Sequence, residues 1–319
     1  MQKRFTLAWL AFFSLCLFLN ACAFSSASQT KERAKPEPLI PLSALEKGVS
    51  YGEPKPIGTI TDRQLAEVSG LAPSQTAKGA WWVHNDSGDQ PRLYAVNSQG
   101  QLIAKFTVAE AKNVDWEDMA RGPNSTLFIA DTGNNGLSRS ELTLYRVAEP
   151  NLGQASSRNV LTGDTAAAEA FPFRYPDGKH DAEALFVDPQ SGRPYLVTKK
   201  MSPPCAVYRF PLPLQPGKLV TLEKVTGKAV KEIAQLALVT GATVSPDGKR
   251  LAIRTYFTAL ELTRNGGTFE AIFDSQPQTI KIPLEQQGEA ISYSADGKSL
   301  VTTSEKIPAP LFRLTRISP

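Results

Sequence analysis

Ser245-Pro246-Asp247-Gly248-Lys249-Arg250-Leu251-Ala252 and Ser294-Ala295-Asp296-Gly297-Lys298-Ser299-Leu300-Val301 are two versions of one local design. Each places Asp-Gly at a tight turn, where glycine supplies the positive φ the turn requires, and follows it with an apolar run. Ahead of each turn lies a short strand-like stretch, Ala242-Thr243-Val244-Ser245 or Glu289-Ala290-Ile291-Ser292. The same stretch recurs at Ser69-Gly70-Leu71-Ala72, Glu117-Asp118-Met119-Ala120 and Glu183-Ala184-Leu185-Phe186, with turn residues after it at Pro123-Asn124 and Asp188-Pro189-Gln190-Ser191-Gly192. Self-similarity of this kind is the mark of a repeat architecture.

A second strand follows every turn: Trp81 to His84, Leu127 to Ala130, Tyr195 to Thr198, Leu251 to Arg254 and Leu300 to Thr303. These nearly unbroken apolar runs suit strands buried on both faces. A third strand alternates apolar and polar residues, as a half-exposed strand does: Leu93 to Val96, Leu144 to Val147, Val207 to Phe210, Ala259 to Leu262 and Leu311 to Leu314. Fourth strands are expected at Ile103 to Val108, Ala168 to Tyr175, Leu219 to Val225 and Phe269 to Phe273. The last repeat runs out of chain, and the unassigned stretch Pro56 to Thr61 can complete it. The expected fold is therefore all-β, a β-propeller of five four-stranded blades closed by an N-terminal strand. Five uses every strand; six stays open, because the two longest repeats have room for another blade. A β-sandwich would not produce the recurring triplet.

The Ser-x-Asp-Gly-Lys turns resemble those of TolB-like and other WD40-like propellers. Longer segments resemble a group of bacterial secreted propellers near the SdiA-regulated and esterase-like phytase families. They are Trp82-Val83-His84-Asn85-Asp86-Ser87-Gly88-Asp89, Asn113-Val114-Asp115-Trp116-Glu117-Asp118, Ala130-Asp131-Thr132-Gly133-Asn134-Asn135, His180-Asp181-Ala182-Glu183-Ala184-Leu185 and Arg254-Thr255-Tyr256. The resemblance implies the propeller fold and no particular reaction.

The N-terminus reads as an export signal. Lys3 and Arg4 precede an apolar run, Phe5 to Leu19, that is shorter than the roughly 20 residues a membrane span needs. Leu19-Asn20-Ala21-Cys22 resembles a lipobox, which implies cleavage before Cys22, its lipidation and membrane attachment through the acyl chains. The bland alternative is an ordinary secretory peptide cut nearby. With Ala23 rather than Asp after the cysteine, the resemblance to Gram-negative lipoproteins implies the outer membrane, facing the periplasm. Residues 22–54 are polar and rich in Ser, Lys, Glu and Pro, a flexible tether. Domain boundaries are thus 1–21 signal peptide, 22–54 lipidated Cys22 and tether, and 55–319 propeller.

Removing residues 1–21 takes Lys+Arg from 35 to 33 against 31 Asp+Glu, so the charge falls from +4 to +2. That balance, without a clustered basic face, argues against nucleic-acid binding. With Cys16 lost and Cys22 acylated, Cys205 is alone and is expected as a buried, inert thiol in a monomer.

On a propeller frame, Glu117, Glu183 and Glu289 start three channel-lining strands, with Ser69 and Ala242 in the other two. The second strands end at His84-Asn85-Asp86, Asp131, Lys199, Arg254 with Tyr256, and Ser304-Glu305. The expected ligand-binding set is Asn85, Asp86, Glu117, Asp131, Glu183, Lys199, Arg254, Tyr256, Glu289 and Glu305. Carboxylates gathered around a channel repel one another. Shared protons, the basic neighbours Lys199 and Arg254, or a hard cation such as Ca²⁺ can offset the repulsion among Glu117, Glu183 and Glu289. His84 and His180 lie in different blades without zinc-site spacing. No Gly-x-Ser-x-Gly elbow or phosphate-cradling loop occurs, and Ser87 reads as a turn residue held by Asp86. Trp81, Trp82 and Trp116 could stack on a sugar or peptide, but strand tryptophans are usually core.

Two functions compete. The favoured one is non-catalytic binding of a small molecule or envelope protein at the channel mouth. The alternative is a Ca²⁺-dependent hydrolase of phosphate esters, esters or lactones, with Glu117 or Glu183 as general base and Arg254 or Lys199 as electrostatic stabiliser.

Overall fold

The computed structural model describes residues 51–317. The signal sequence, Cys22 and the tether up to residue 50 lie outside the described residues.

Five antiparallel blades form a closed ring. Strand β1 (Lys55–Ile60) precedes the first blade, which is β2 (Val68–Pro73), β3 (Trp81–Asn85), β4 (Arg92–Val96) and β5 (Leu102–Thr107). The second blade is β6 (Trp116–Gly122), β7 (Thr126–Asp131), β8 (Leu142–Ala148) and, beyond the short β9 (Leu161–Asp164), β10 (Glu169–Arg174). The third is β11 (Ala182–Val187), β12 (Pro194–Thr198), β13 (Val207–Arg209) and, after β14 (Val220–Thr221), β15 (Glu223–Lys224). Helix α1 (Lys228–Ile233) leads to the fourth: β16 (Val239–Val244), β17 (Arg250–Thr255), β18 (Ala259–Thr263) and β19 (Gln278–Ile280). The fifth is β20 (Gly288–Tyr293), β21 (Ser299–Ser304), β22 (Ala309–Thr315) and β1, which pairs antiparallel with β22 from Lys55↔Arg313 to Ile60↔Ala309. N- and C-terminal strands thus close one blade, leaving the ring without an open seam.

The apolar second strands are explained by their position between blades. On β3, Trp82 packs toward the second blade with Trp116, Met119 and Ile129, while Trp81 and Val83 pack toward the fifth with Ala290, Val301 and Leu311. Trp81, Trp82 and Trp116 are all core and none of them offers a stacking platform. Cys205 is buried, its thiol donating to the Leu236 carbonyl at 3.1 Å.

The Asp-Gly turns work as their chemistry requires. Asp247 Oδ1 accepts from Ser245 Oγ (2.5 Å) and the Lys249 N–H (3.1 Å), and Asp296 repeats this with Ser294 and Lys298. Gly248 and Gly297 sit at φ +68° and +67°. Positive φ is not the only demand on them: a Cβ at Gly192, Gly248 or Gly297 would come to 3.2 Å from Pro123, Pro189 or Pro246 of the preceding blade. The turns therefore interlock around the face opposite the starts of the inner strands.

Two features depart from the sequence reading. Phe269–Asp274 is a 3-10 helix, and the fourth strand of the fourth blade is Gln278–Ile280 instead. Phe269, Ile272 and Phe273 share one helical face, and all three are buried against Phe186 and Tyr195; a strand would have split them between two faces. β9 and β14 add parallel fifth strands to the outer edges of the first and second blades, covering backbone groups those edges would otherwise expose. The ring also reaches further upstream than β1, since the Gly52 N–H donates to the Thr315 carbonyl and Tyr51 Oη to Glu261.

Candidate functional site

Every inner strand slips register against its neighbour near its start. The shifts fall between Val68 and Leu71, Trp116 and Asp118, Ala182 and Ala184, Val239 and Gly241, and Gly288 and Ala290. Four of these bulges insert one residue: Glu117, Glu183, Thr240 and Glu289. A bulge re-aims its side chain away from the regular pleat. Here it brings Glu117, Glu183 and Glu289, together with Ser69 of the first blade, to the lining of one cavity of about 140 Å³. In the fourth blade the equivalent residue is Thr240, not Ala242. Thr240 precedes Ser245 as Glu289 precedes Ser294, whereas Ala242 pairs regularly with Ile253. Thr240 Oγ1 donates to the Glu289 carbonyl (3.0 Å), and Ser69 Oγ donates to the Glu117 carbonyl, so two hydroxyls brace carboxylate-bearing bulges.

The mouth is electrically divided. On one side Lys199 Nζ is ion-paired with Glu183 and donates to Tyr256 Oη at 3.2 Å, and Tyr256 donates to Glu289 at 3.2 Å. Glu305 accepts from Gln287 at the same rim. On the other side stands Glu117, 4 % exposed, with no hydrogen-bonding or ionic partner for its carboxylate among the described residues. One oxygen each of Asp86, Asp115 and Glu117 lie within 4.8 Å of one another, as do those of Glu117, Asp181 and Glu183. Gly133 makes this closeness feasible: a Cβ there would lie 2.2 Å from Asp115 Cγ and from Glu117 Oε1.

Burial dominates the protonation of these groups. It raises the Glu117 carboxyl well above the ordinary range, with Glu183 and Asp86 adding repulsion. It pushes Asp86 up to about 6. Asp115 and Asp181 are raised by the same cause, as is Glu183, where Lys199 opposes the effect. Lys199 stays charged because, although burial works against it, Glu183 more than compensates.

Glu289, raised to about 7 by burial and by Glu305 against the opposing pull of Lys199, Arg254 and Tyr256, has a consequence for stability. Its carboxyl binds a proton more tightly folded than unfolded, so its contribution is full below about 4.5 and is lost as pH rises through 7. Glu289→Gln is therefore expected to stabilise the fold by roughly 3 kcal/mol at pH 8, with the gain nearly gone by pH 4.5. Urea unfolding of both proteins across this range checks it; a pH-independent difference would contradict the assignment.

Of the residues expected at the mouth, Asp86, Glu117, Glu183, Lys199, Tyr256, Glu289 and Glu305 line the cavity. Asn85, Asp131 and Arg254 do not. Asn85 is turned toward the Gln64 carbonyl and Asp89, and Asp131 is ion-paired with Arg139 at 2.7 Å. Arg254 is fully buried between the fourth and fifth blades, paired with Glu285 at 2.7 Å. Ser87 donates its N–H to Asp86, as a turn residue does. His84 is buried against Trp116, and His180 is held by Asp177 and Tyr208. The reading overlooked Asp115 and Asp181 behind the mouth, and Asn135 and Gln287 on its rim. The Asp-x-Glu pairs Asp115/Glu117 and Asp181/Glu183, repeated in successive blades, were a usable signal.

No protein-family model matches the chain, and comparison with curated proteins finds no match. Fold and site define the class: a five-bladed β-propeller with a predominantly acidic channel mouth.

Proposed function

We propose that the chain is a membrane-tethered, non-catalytic binding module of the cell envelope, which captures a ligand or partner protein through the acidic side of its channel mouth. The observation that carries this reading is Glu117, a buried carboxylate without a partner among the described residues, facing a small polar cavity. Burying a charge without compensation is costly, so such a group favours occupation by a positive one. The cavity, about 140 Å³, suits a compact cationic group rather than a whole substrate. Neither histidine nor Cys205 lines it, and Ser69 Oγ is engaged by the Glu117 carbonyl and Lys199 by Glu183, which speaks for binding over nucleophilic chemistry. The hydrolase alternative loses Arg254 as a stabiliser, since that guanidinium is already enclosed by protein. The lipobox at Cys22 and the polar tether support attachment to the outer membrane, and the turn motifs support kinship with secreted bacterial propellers.

A photo-crosslinking residue in place of the exposed Asn135, on the cavity rim, tests the reading in the intact envelope. A discrete adduct is expected there and none from a crosslinker at Asp296 on the opposite face. The adduct should disappear when Glu117, Glu183 and Glu289 are all replaced by Gln. Adducts that persist in that folded triple variant would overturn the proposal.

A further inference from the structure

We propose that Asp86, Asp115 and Glu117, with Asp181 behind Glu117, hold a divalent oxygen-seeking cation of the calcium class at the channel mouth. The inference rests on reading the acidic side as a binding site and names what occupies it. Carboxylate oxygens within 4.8 Å of one another can all reach one ion at the 2.3–2.6 Å typical of calcium. Calcium takes six to eight oxygen ligands, so side chains supply part of the shell and water or a bound ligand the rest. The cluster contains neither His nor Cys, which disfavours zinc and copper.

Charge distribution selects this corner over the ring of Glu117, Glu183 and Glu289. Lys199 occupies the space between Glu183 and Glu289, directly and through Tyr256. A second cation there would face an ammonium. No basic side chain is bonded to Asp86, Asp115 or Glu117 among the described residues; the nearby Arg139 is paired with Asp131. Glu117 is the decisive group, because it is the member both carboxylate triads share and it has no partner among the described residues. Gly133 leaves open the space beside Asp115 and Glu117 that any side chain would enter.

The test uses the full chain, stripped with a chelator and titrated with CaCl₂ by calorimetry and by thermal melting. One ion per chain is expected, with Tm climbing as free calcium rises, because only the folded state assembles the ligands. Glu117→Gln and, independently, the partly buried Asp86→Asn should each weaken binding at least tenfold, whereas Asp296→Asn on the opposite face should leave it within about twofold. Absence of binding heat together with an unmoved Tm would overturn the proposal, as would unchanged affinity in both Glu117→Gln and Asp86→Asn. Failure of the two readings is separable. Loss of calcium binding with the Asn135 adduct intact removes the ion alone. Calcium binding without any adduct upholds the ion and removes partner capture.

Discussion

Asp118→Ala is expected to destabilise the propeller by roughly 4 kcal/mol, the largest loss from any single carboxylate. Asp118 follows the Glu117 bulge on β6 and is 1 % exposed. Its Oδ2 accepts the Leu185 N–H of the third blade (2.8 Å) and the Ala242 N–H of the fourth (3.2 Å), while Oδ1 accepts the Met119 N–H (2.8 Å). Inner strands are edge strands facing the axis, so amides pointing inward have no neighbouring strand to receive them. One carboxylate near the axis satisfies three, belonging to three blades. Burial raises its pKa, while the three N–H groups pull the other way. Truncation to Ala would leave at least two buried donors unsatisfied, at about 1–3 kcal/mol each. Asp118→Asn keeps an acceptor and should cost less than half as much. Urea unfolding midpoints decide the matter; a loss under about 1 kcal/mol for Asp118→Ala would show that the amides find water or other acceptors.

The second large effect is expected at Arg254. Arg254→Met should cost about 3–5 kcal/mol, because it strands Glu285 as a buried carboxylate without its partner. Both side chains of this pair are fully buried, and Arg254 Nη1 also donates to the Ala290 carbonyl at 2.8 Å in the fifth blade. The space it fills exists only because residue 288 is glycine: a Cβ there would lie 1.7 Å from Nη2. Arg254→Met combined with Glu285→Leu should recover most of the loss, since removing both charges also removes their desolvation cost. A double-mutant cycle on unfolding free energies measures the coupling. A double variant no more stable than Arg254→Met would mean that the carbonyl hydrogen bonds, not the ion pair, hold the two blades together.

These residues show where sequence reading succeeds and where it stops. The recurring strand triplet and the Asp-Gly turns were legible because a turn's φ and a strand's two-residue alternation are local properties. Trp81 and Trp82 were legible as core because their apolar run had no polar alternation. The stretch Phe269–Phe273 misled because its bulky aromatics favour strands as well as helices, and only the i, i+3, i+4 spacing separates the two. Arg254 reads as a mouth residue because it lies near the end of a second strand, as Lys199 does, but strand position alone says nothing about which blade the guanidinium enters.

The repeating strands, the closing of the ring by an N-terminal strand and the equivalent inner-strand positions of Glu117, Glu183 and Glu289 follow from sequence, through repetition. That the blades number five rather than six, and that the three carboxylates share one cavity, is decided by the structure. The structure alone decides which of these charges are already answered. Bulges re-aim single side chains, and ring closure brings residues far apart in the chain within bonding distance. Lys199 therefore answers Glu183, Glu285 answers Arg254, and Glu117 is left open.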